Sequence, residues 1–375
     1  MCLAGRGVPA PAPGTLTSAG ALEAHAGAGP IRCRRTMSCM SSDAAAATGL
    51  VFDACYERHD PGPGHFENPR RYAALQAAFE GRGLLGALHV IPPRLARDED
   101  LHLVHTRSYI HVVRHDVARR ATMLSTGDTA LGAHTFDTAL MAVGGCLAAV
   151  DAIFSSRVRN AFAAVRPPGH HATASRGMGF CVFNNAAIAA RYAQQVYHAE
   201  RVLIADWDVH HGNGTQDIFY HDPSVFFFST HQSPWYPGTG AHDETGADAG
   251  AGTTLNCPFH AGAGHAEIVG AFRKRLLPAA EAFHPDFVIV SAGFDSRYDD
   301  PLGRFHLKDA DFAELTSLMM EIAERSAGGR LLSVLEGGYN LQGLAAAATA
   351  HVEALSEGAR TAHSVHTPDD APERL

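Results

Sequence analysis

Between residues 48 and 355, short runs of β-branched and aromatic residues alternate with longer Ala- and Leu-rich segments of helical spacing. This alternation is typical of βα units arranged around a parallel sheet. The sequence therefore predicts one α/β domain over 48–355, with a central, mostly parallel sheet flanked by helices. The clearest predicted strands are 161–165, 202–205, 225–228, 287–290 and 331–335. The clearest predicted helices are 185–195, 265–283, 309–324 and 341–355.

Two segments outside this domain lack apolar periodicity. Residues 1–47 are rich in Ala, Gly, Pro and Ser, and we expect them to be disordered. Their arginines outnumber their acids, as in an organelle transit peptide, but translation from Met37 or Met40 would explain the segment equally well. Residues 356–375 are polar and predict a flexible tail.

The composition of 46% hydrophobic and 18% charged residues is that of a soluble globular protein. The longest apolar stretch, 138–150, is closed off by Asp137 and Asp151 and falls short of the roughly 18 residues of a membrane span. We therefore expect no membrane partner. The seven cysteines are scattered and form no C-x-x-C pair, which predicts a reducing compartment and favours the cytoplasm, or an organelle if 1–47 is a transit peptide.

The charge balance favours basic ligands over acidic ones. Thirty Lys and Arg against 39 Asp and Glu give a formal charge of -9, with the 24 histidines counted as neutral. Such a chain offers no basic field to neutralise phosphates, so direct binding of nucleic acid is not expected. A basic peptide or an amine suits this surface, and a homo-oligomer is compatible with the sequence.

Polar segments follow five of the predicted strands. They read RPPGHHA, DWDVHHGNGT, STH, AGFDSRYDDP and EGGYN. The carboxyl ends of parallel strands meet at one edge of a sheet, where ligands bind in open α/β folds. The sequence therefore predicts an active site at this edge.

Asp208 and His210 are two residues apart after a strand, so their side chains share one side of an extended backbone. Asp295, which follows another buried strand, is the best placed third ligand. Two carboxylates and one imidazole leave an open coordination position, as in catalytic zinc sites, and Fe(II) or Co(II) accept the same ligands. A strand-end ion pair or a helix cap is the alternative for Asp208 and His210.

His170 and His171 follow a turn that Pro167, Pro168 and Gly169 make rigid. Two imidazoles in a fixed turn predict a general base and a general acid, although adjacent histidines also occur as surface residues. Asp206 is a candidate to orient one ring. A second role for Asp206, compatible with the first, is to bind a structural cation together with Ser229.

Tyr339 follows two glycines, which let the chain turn so that its phenol reaches a neighbouring cavity and donates to an oxyanion. Phe180 and Tyr236 are candidates to wall a narrow acyl slot. For all three aromatic residues, packing in the core or at a rim is the alternative.

The segments RPPGHHA, GFCVFNNAAIAA, DWDVHHGNGTQ, YPGTG, AGFDSRYDDPLG and LEGGYN, in that order, resemble the zinc-dependent histone deacetylase family. The resemblance covers about residues 49–355 and is closest to the class II and bacterial deacetylase-like branch. It implies the arginase-deacetylase fold, with zinc on Asp208, His210 and Asp295. It also implies that His171 is the general base and then the acid, and that His170 tunes the electrostatics.

The resemblance implies further roles. Tyr339 would polarise the carbonyl group and stabilise the oxyanion, and Arg71 would line an interior channel for acetate. The implied substrate-binding residues are Phe180, Tyr236, Asp128, Leu302 and Gly179. The implied ligands of a monovalent cation, potassium, are Asp206, Asp208, His210 and Ser229.

Three positions separate branches of the family. Asn213 stands where class I members have an aspartate that pairs with the second histidine, and class II members also have asparagine there. Tyr339 is present where a branch with poor activity on acetyl-lysine has histidine. Leu302 replaces the glutamate of the polyamine-specific branch, which argues against strict polyamine specificity.

The function predicted from these residues is hydrolysis of an N-acetylated amine, with acetyl-lysine in a protein or peptide as the preferred substrate. An acetylpolyamine or another small acyl-amine is the first alternative. An arginase-like hydrolase with two metal ions would need more carboxylates, and Ser296 and Arg297 directly follow Asp295. A silent acyl-lysine binder would have lost a ligand or Tyr339, and both are retained.

Overall fold

The structure, a computed structural model, describes residues 47–366. Of the segment predicted to be disordered, 1–47, all but Ala47 lies outside the described residues, as does 367–375 of the predicted tail. The four cysteines in the described part of the chain are Cys55, Cys146, Cys181 and Cys257, and all four are free thiols.

Within residues 47–366, eight strands form one sheet, and every neighbouring pair is parallel. The strands are β1 (Thr48–Val51), β2 (His89–Val90), β3 (Asn160–Ala163), β4 (Val202–Asp206), β5 (Val225–Gln232), β6 (Thr254–Phe259), β7 (Phe287–Ala292) and β8 (Leu331–Leu335). Their order across the sheet is β2-β1-β3-β8-β7-β4-β5-β6. The parallel sheet of an α/β domain that the sequence predicts is therefore confirmed.

Eleven α-helices cover the sheet in the described range. They are α1 (Arg70–Gly81), α2 (Leu84–Ala87), α3 (Asp98–Leu101), α4 (Arg107–Ala118), α5 (Thr135–Phe154), α6 (Asn185–Tyr197), α7 (Asn213–Phe219), α8 (His265–Ala271), α9 (Leu277–Phe283), α10 (Asp309–Ser326) and α11 (Leu341–His366). A π-helical segment, Phe272–Leu276, joins α8 to α9, and short 3₁₀ turns cover Ala54–Arg58 and Asp248–Gly250.

The sheet divides the apolar interior into two layers, because successive side chains of a strand point to opposite faces. In β4, Leu203 and Ala205 pack in the layer that also contains residues of α10 and α11. Val202 and Ile204 pack in the opposite layer with residues of α5 and α6. Both faces are covered, so the carboxyl edge of the sheet remains as the place for a site.

Strand β5 is longer than predicted. The sequence predicts its end at Phe228, but the strand continues to Gln232 because Ser229, Thr230 and His231 pair in register with residues 256–258 of β6. Because these side chains are polar, the hydrophobic pattern predicts a loop here. They are nevertheless buried and form part of the sheet. Ser229 therefore lies on a strand, opposite Asp206 of β4.

Two helix predictions need correction. The predicted helix 265–283 is helical throughout but is interrupted by the π-helical segment at Phe272–Leu276. The predicted end of the last helix at residue 355 is wrong, because α11 continues to His366. Residues 356–366, predicted as part of a flexible tail, are therefore helical.

Helix α5 (Thr135–Phe154) extends beyond the apolar stretch 138–150 at both ends. It runs through both Asp137 and Asp151, and its 20 residues are long and apolar enough to cross a membrane. However, 78% of its most apolar window is buried inside the domain. Asp151 is tolerated near its end because the hydroxyls of Tyr192 and Tyr197 donate to its carboxylate. We therefore describe α5 as a core helix.

Candidate active site

Asp208, His210 and Asp295 meet at the carboxyl edge of the sheet. Asp208 and His210 follow β4, Asp295 follows β7, and these two strands are neighbours. The Nδ1 atom of His210 lies 3.0 Å from Asp208 Oδ1 and 3.2 Å from Asp295 Oδ2. One potential ligand atom from each residue lies within 4.8 Å of the others, and all three residues are buried. The spacing predicted from sequence thus gives one compact cluster.

The electrostatics of this cluster fit a divalent cation. Burial and the nearby Asp208 raise the pKa of Asp295 to about 7. Burial opposes a charge on His210, but its contacts with Asp208 and Asp295 raise its pKa to about 10. Two buried carboxylates therefore compete for positive charge at one point, and a metal ion bound by the same atoms would supply it. Two oxygen ligands and one nitrogen ligand suit zinc, and Fe(II) or Co(II) as well.

Backbone groups hold the two carboxylates in place. Val209 N donates to Asp295 Oδ1 at 2.8 Å, and Gly337 N donates to Asp208 Oδ2 at 2.9 Å. A Cβ atom at position 337 would lie only 2.2 Å from Asp295 Oδ2, so a residue larger than glycine would displace this carboxylate. These hydrogen bonds fix the orientation of both carboxylates, and Asp208 Oδ1, which also accepts His210 N at 2.9 Å, and Asp295 Oδ2 face His210 Nδ1.

His170 and His171 lie beside the cluster and differ in their hydrogen-bond partners. The Nδ1 atom of His170 is 2.9 Å from Asp206 Oδ2. The Nδ1 atom of His171 is 2.8 Å from the side-chain oxygen of Asn213, to which it donates. Glu336 holds the turn that carries both histidines, because its Oε2 accepts the backbone N–H groups of Gly169 and His170 at 2.7 and 3.1 Å.

Their different surroundings shift the pKa values of the two histidines in opposite directions. Burial alone would lower the pKa of His170, but Asp206 and Asp208 raise it well above the usual value. Burial, with His170 and His210 close by, lowers the pKa of His171 well below the usual value. The surroundings of His170 thus favour its charged form. The surroundings of His171 favour the neutral ring, with its proton on Nδ1 and its Nε2 able to accept one, which is the form a general base needs.

Tyr339 stands on the other side of the cluster, after β8. Gly338 before it has φ +118, a conformation that glycine adopts readily and other residues rarely do. The ring contacts Phe180 edge to face at 5.7 Å between centroids, and the Arg71 guanidinium lies 5.1 Å from its centroid. Burial, with Asp295 and Asp208 nearby, raises the pKa of Tyr339 well above its usual value. The phenol therefore keeps its proton and remains a hydrogen-bond donor.

A narrow cavity of about 300 Å³ leads to these groups. Eight predicted site residues line it together with one residue that was not predicted. They are Asp128, His171, Gly179, Phe180, His210, Tyr236, Leu302 and Tyr339, with Trp235 as the addition. The predicted acyl slot with aromatic walls is therefore present as a cavity, with Asp128 exposed at its rim.

Asp128 is held at the rim by two donors. Gly179 N donates to its Oδ1 at 2.8 Å, and the Tyr236 hydroxyl donates to its Oδ2 at 3.1 Å. Tyr236 is thus both a wall of the cavity and a support for the exposed acid. The remaining lone pairs of the carboxylate are available to a ligand that enters the cavity.

A family model described as the histone deacetylase domain matches residues 65–355, more than half of the chain.

The chain belongs to the histone deacetylase family.

Relatives in this family carry different substrate names. Histone deacetylase 15 of Arabidopsis thaliana is 40% identical over 324 residues, which cover 84% of this chain and 58% of that protein. The polyamine deacetylase HDAC10 of Homo sapiens is 41% identical over 301 residues, which cover 77% of this chain and 44% of that protein. The matches thus span only about half of each relative's length. One relative is named a histone deacetylase and the other a polyamine deacetylase, although this chain is nearly equally identical to both.

The fold of this histone deacetylase family member also matches a solved structure. The crystal structure of the HDA15 HD domain superimposes with a TM-score of 0.79 at 39% identity. The match covers 83% of this chain and 90% of that domain.

The remaining predicted residues of this histone deacetylase domain lie near the cluster. Ser229 is buried opposite Asp206 in the sheet register, on the side where the resemblance implies a monovalent cation. Arg71 is buried and donates to the carbonyl groups of Gly338 and Glu336 at 2.8 and 2.6 Å. It therefore supports the loop that carries Tyr339.

The sequence analysis missed Trp235. Its indole Nε1 donates to the Leu302 carbonyl at 2.8 Å and thereby joins two walls of the cavity. The signal was available, because Trp235 is one of only two tryptophans and lies between two prolines, next to the predicted Tyr236. Asp300 was also missed, and no pattern in the sequence marks it among its acidic neighbours.

Proposed function

We propose that this chain is a metal-dependent deacetylase that hydrolyses the amide of an N-acetylated amine to a free amine and acetate. The observation that supports this most is the meeting of three groups at one narrow cavity. These groups are the buried Asp208, His210 and Asp295 cluster, a neutral His171, and a protonated Tyr339. A metal ion, a base and an oxyanion donor are what amide hydrolysis by water requires.

The cluster would hold zinc, or Fe2+ or Co2+, through its two carboxylates and one imidazole. Such an ion would act as a Lewis acid toward the amide carbonyl and would lower the pKa of the attacking water. We further propose potassium as a structural ion near Asp206 and Ser229, as the family resemblance implies. The two neighbouring strand positions in register support this assignment.

The protein's own groups move the protons. His171 accepts a proton from water at Nε2, because its Nδ1 is committed to Asn213. The hydroxyl oxygen adds to the carbonyl carbon, while Tyr339 donates a hydrogen bond to the carbonyl oxygen as that oxygen becomes negative. His171 then gives its proton to the amide nitrogen, and the C–N bond breaks to release the amine and acetic acid. The carboxylic proton passes to the amine, so the final products are the ammonium ion and acetate. His170, whose pKa is raised by Asp206 and Asp208, would favour the anionic stage electrostatically.

One metal ion accounts for the site better than two. The other group of potential ligands in the described residues is His170, Cys181 and Glu336. His170 is engaged with Asp206, and Glu336 is the only carboxylate of this group. The dinuclear, arginase-like alternative needs more carboxylates than this second group supplies.

Acetyl-lysine in a protein or peptide is the substrate we propose. The stem of lysine is a thin apolar chain, which suits a cavity walled by Phe180 and Tyr236, and the exposed Asp128 can accept peptide N–H groups. An acetylpolyamine is the second candidate, because the same carboxylate can bind an ammonium group. Leu302 brings no second negative charge to the cavity, which favours the peptide.

The test is acetate release by the purified protein from acetyl-lysine peptides and from acetylated polyamines. It is measured before chelation, after chelation and after zinc is restored, with metal content determined on the same samples. We expect release that chelation abolishes and zinc restores, at about one zinc per chain. A folded protein with one zinc that releases acetate from none of these substrates would contradict the proposal.

A further inference from the structure

The carboxylate of Asp300 links the loop after β7 to the loop after β8. Asp300 lies in the loop after β7, and Tyr339 lies in the loop after β8. The Oδ2 atom of Asp300 accepts the backbone N–H groups of Tyr339 at 2.6 Å and of Asn340 at 3.1 Å. Its Oδ1 atom accepts Leu302 N at 2.9 Å within its own loop. Only 7% of Asp300 is exposed, so these bonds are shielded from water.

The other side of Tyr339 is anchored separately. Gly337 N donates to Asp208 Oδ2 at 2.9 Å, and Gly337 O accepts Phe294 N at 3.0 Å. Between Gly337 and Tyr339 lies Gly338, whose φ of +118 is open to glycine but strained for other residues. Glycine also permits many other conformations. The direction of the phenol is therefore defined only if the chain is held on both sides of Gly338.

We propose that Asp300 is a positioning residue for Tyr339. It holds the backbone on the far side of Gly338, so that the phenol stays directed at the reacting carbonyl. This inference rests on the proposed function, in which Tyr339 is the oxyanion donor. An oxyanion donor contributes through its fixed direction before the reaction begins, and a loop free to rotate about Gly338 would lose that contribution.

The hydrogen-bond count explains why an acid occupies this position. Three N–H groups converge on Asp300, two on one oxygen and one on the other. An asparagine would offer one acceptor oxygen, so it must give up either Leu302 N or the pair from Tyr339 and Asn340. The Asp300→Asn change keeps the size of the side chain and should weaken the support, and Asp300→Ala removes it.

Asp299 provides a matched control. It is the adjacent acid, but its carboxylate pairs with Arg297 and does not contact the Tyr339 backbone. Its connection to the loop is its own carbonyl group, which accepts the Asn340 side chain at 3.1 Å and is unaffected by a change of side chain. Asp299→Asn should therefore leave turnover unchanged.

The first experiment measures kcat and KM on an acetyl-lysine peptide for these variants, each alone and combined with Tyr339→Phe. We expect Asp300→Ala to lower kcat by about 100-fold and Asp300→Asn by about tenfold, the scale on which misplaced catalytic groups act. KM and zinc content should change little. In the Tyr339→Phe background, the same changes should cost less than about twofold, because the group they position is already gone. Equal losses in both backgrounds would overturn the proposal.

The second experiment does not depend on activity. The nine tyrosines are replaced by 3-fluorotyrosine, and the fluorine resonance of Tyr339 is identified by its absence in Tyr339→Phe. We expect this resonance to shift or broaden in Asp300→Asn and to stay as in the wild type in Asp299→Asn. An unchanged resonance in folded Asp300→Asn would overturn the proposal. A wild type without deacetylase activity but with the expected fluorine result would reject the proposed function and keep the role of Asp300.

Discussion

Replacing Glu67 by glutamine tests the buried charge cluster that supports the active-site loops. Glu67 is fully buried and accepts from Arg71 Nη1 at 3.0 Å and from Arg166 Nη2 at 2.8 Å. The Nε2 atom of His59 lies 3.1 Å from the same carboxylate. Burial lowers the pKa of His59, so Glu67 is the negative charge that balances two buried guanidinium groups.

The size of the effect follows from this arrangement. Breaking a buried ion pair by removing one charge costs about 3–5 kcal/mol, because the other charge stays buried without a partner. Glutamine keeps one acceptor oxygen, so we expect the Glu67→Gln change to lower the free energy of unfolding by about 3 kcal/mol, near the lower end of that range. A loss of this size is a large part of the roughly 5–15 kcal/mol that stabilises a typical domain.

The pH dependence gives a second signature. Burial alone would raise the pKa of Glu67, but Arg166 and His59 hold it well below its usual value of 4.5. A carboxyl group whose pKa is lowered by folding stabilises the protein above its unfolded pKa and loses this contribution as the pH falls toward its folded pKa. The difference between wild type and variant should therefore be complete at pH 7 and should shrink below about pH 4.5.

The assay is urea unfolding followed by circular dichroism at several pH values between 7 and 3.5. Glu57→Gln serves as the control, because Glu57 is exposed and lies ten residues earlier. A loss below about 1 kcal/mol at pH 7, the size expected of an exposed ion pair, would refute the reasoning. So would a loss that stays constant down to pH 3.5.

Three further predictions concern the cavity. Tyr339→Phe should keep the fold and the metal but lower turnover by about two to three orders of magnitude, as loss of one oxyanion donor does; unchanged turnover would remove the phenol from the mechanism. Asp208→Ala should lose metal and activity together, and full zinc occupancy in this variant would contradict its assignment as a ligand. Tyr236→Phe removes the hydroxyl that supports Asp128, so KM for peptides should rise about threefold to tenfold, in line with one hydrogen bond, while kcat stays the same. An equal rise for free acetyl-lysine, which lacks flanking peptide N–H groups, would show that Asp128 is not involved.

The sequence predicts most of the site because its residues occupy strand ends. Asp208, His210 and Asp295 follow strands that begin with four apolar residues, and a parallel sheet brings such strand ends together. The order of the strands was not needed for this inference. The glycines around Tyr339 likewise carry a local signal that can be read without the fold.

The parts that escaped prediction depend on partners far away in the chain. Asp300 acts on backbone N–H groups of residues 339 and 340, which every non-proline residue possesses, so no residue type marks the contact. The extension of β5 depends on pairing with β6, whose own sequence contains Asn256 and Pro258 and does not read as a strand. Tertiary pairing decides both cases, and local propensity does not.

The position of β8 affects how the chain can fold during its synthesis. Although β8 is the last strand to be made, it lies inside the sheet, between β3 and β7. Until residues 331–335 have left the ribosome, β3 and β7 each keep an unpaired edge, and such edges invite association with other chains. The sheet of this domain can therefore close only after nearly all of it has been translated, and the nascent protein depends on shielding of these two edges until then.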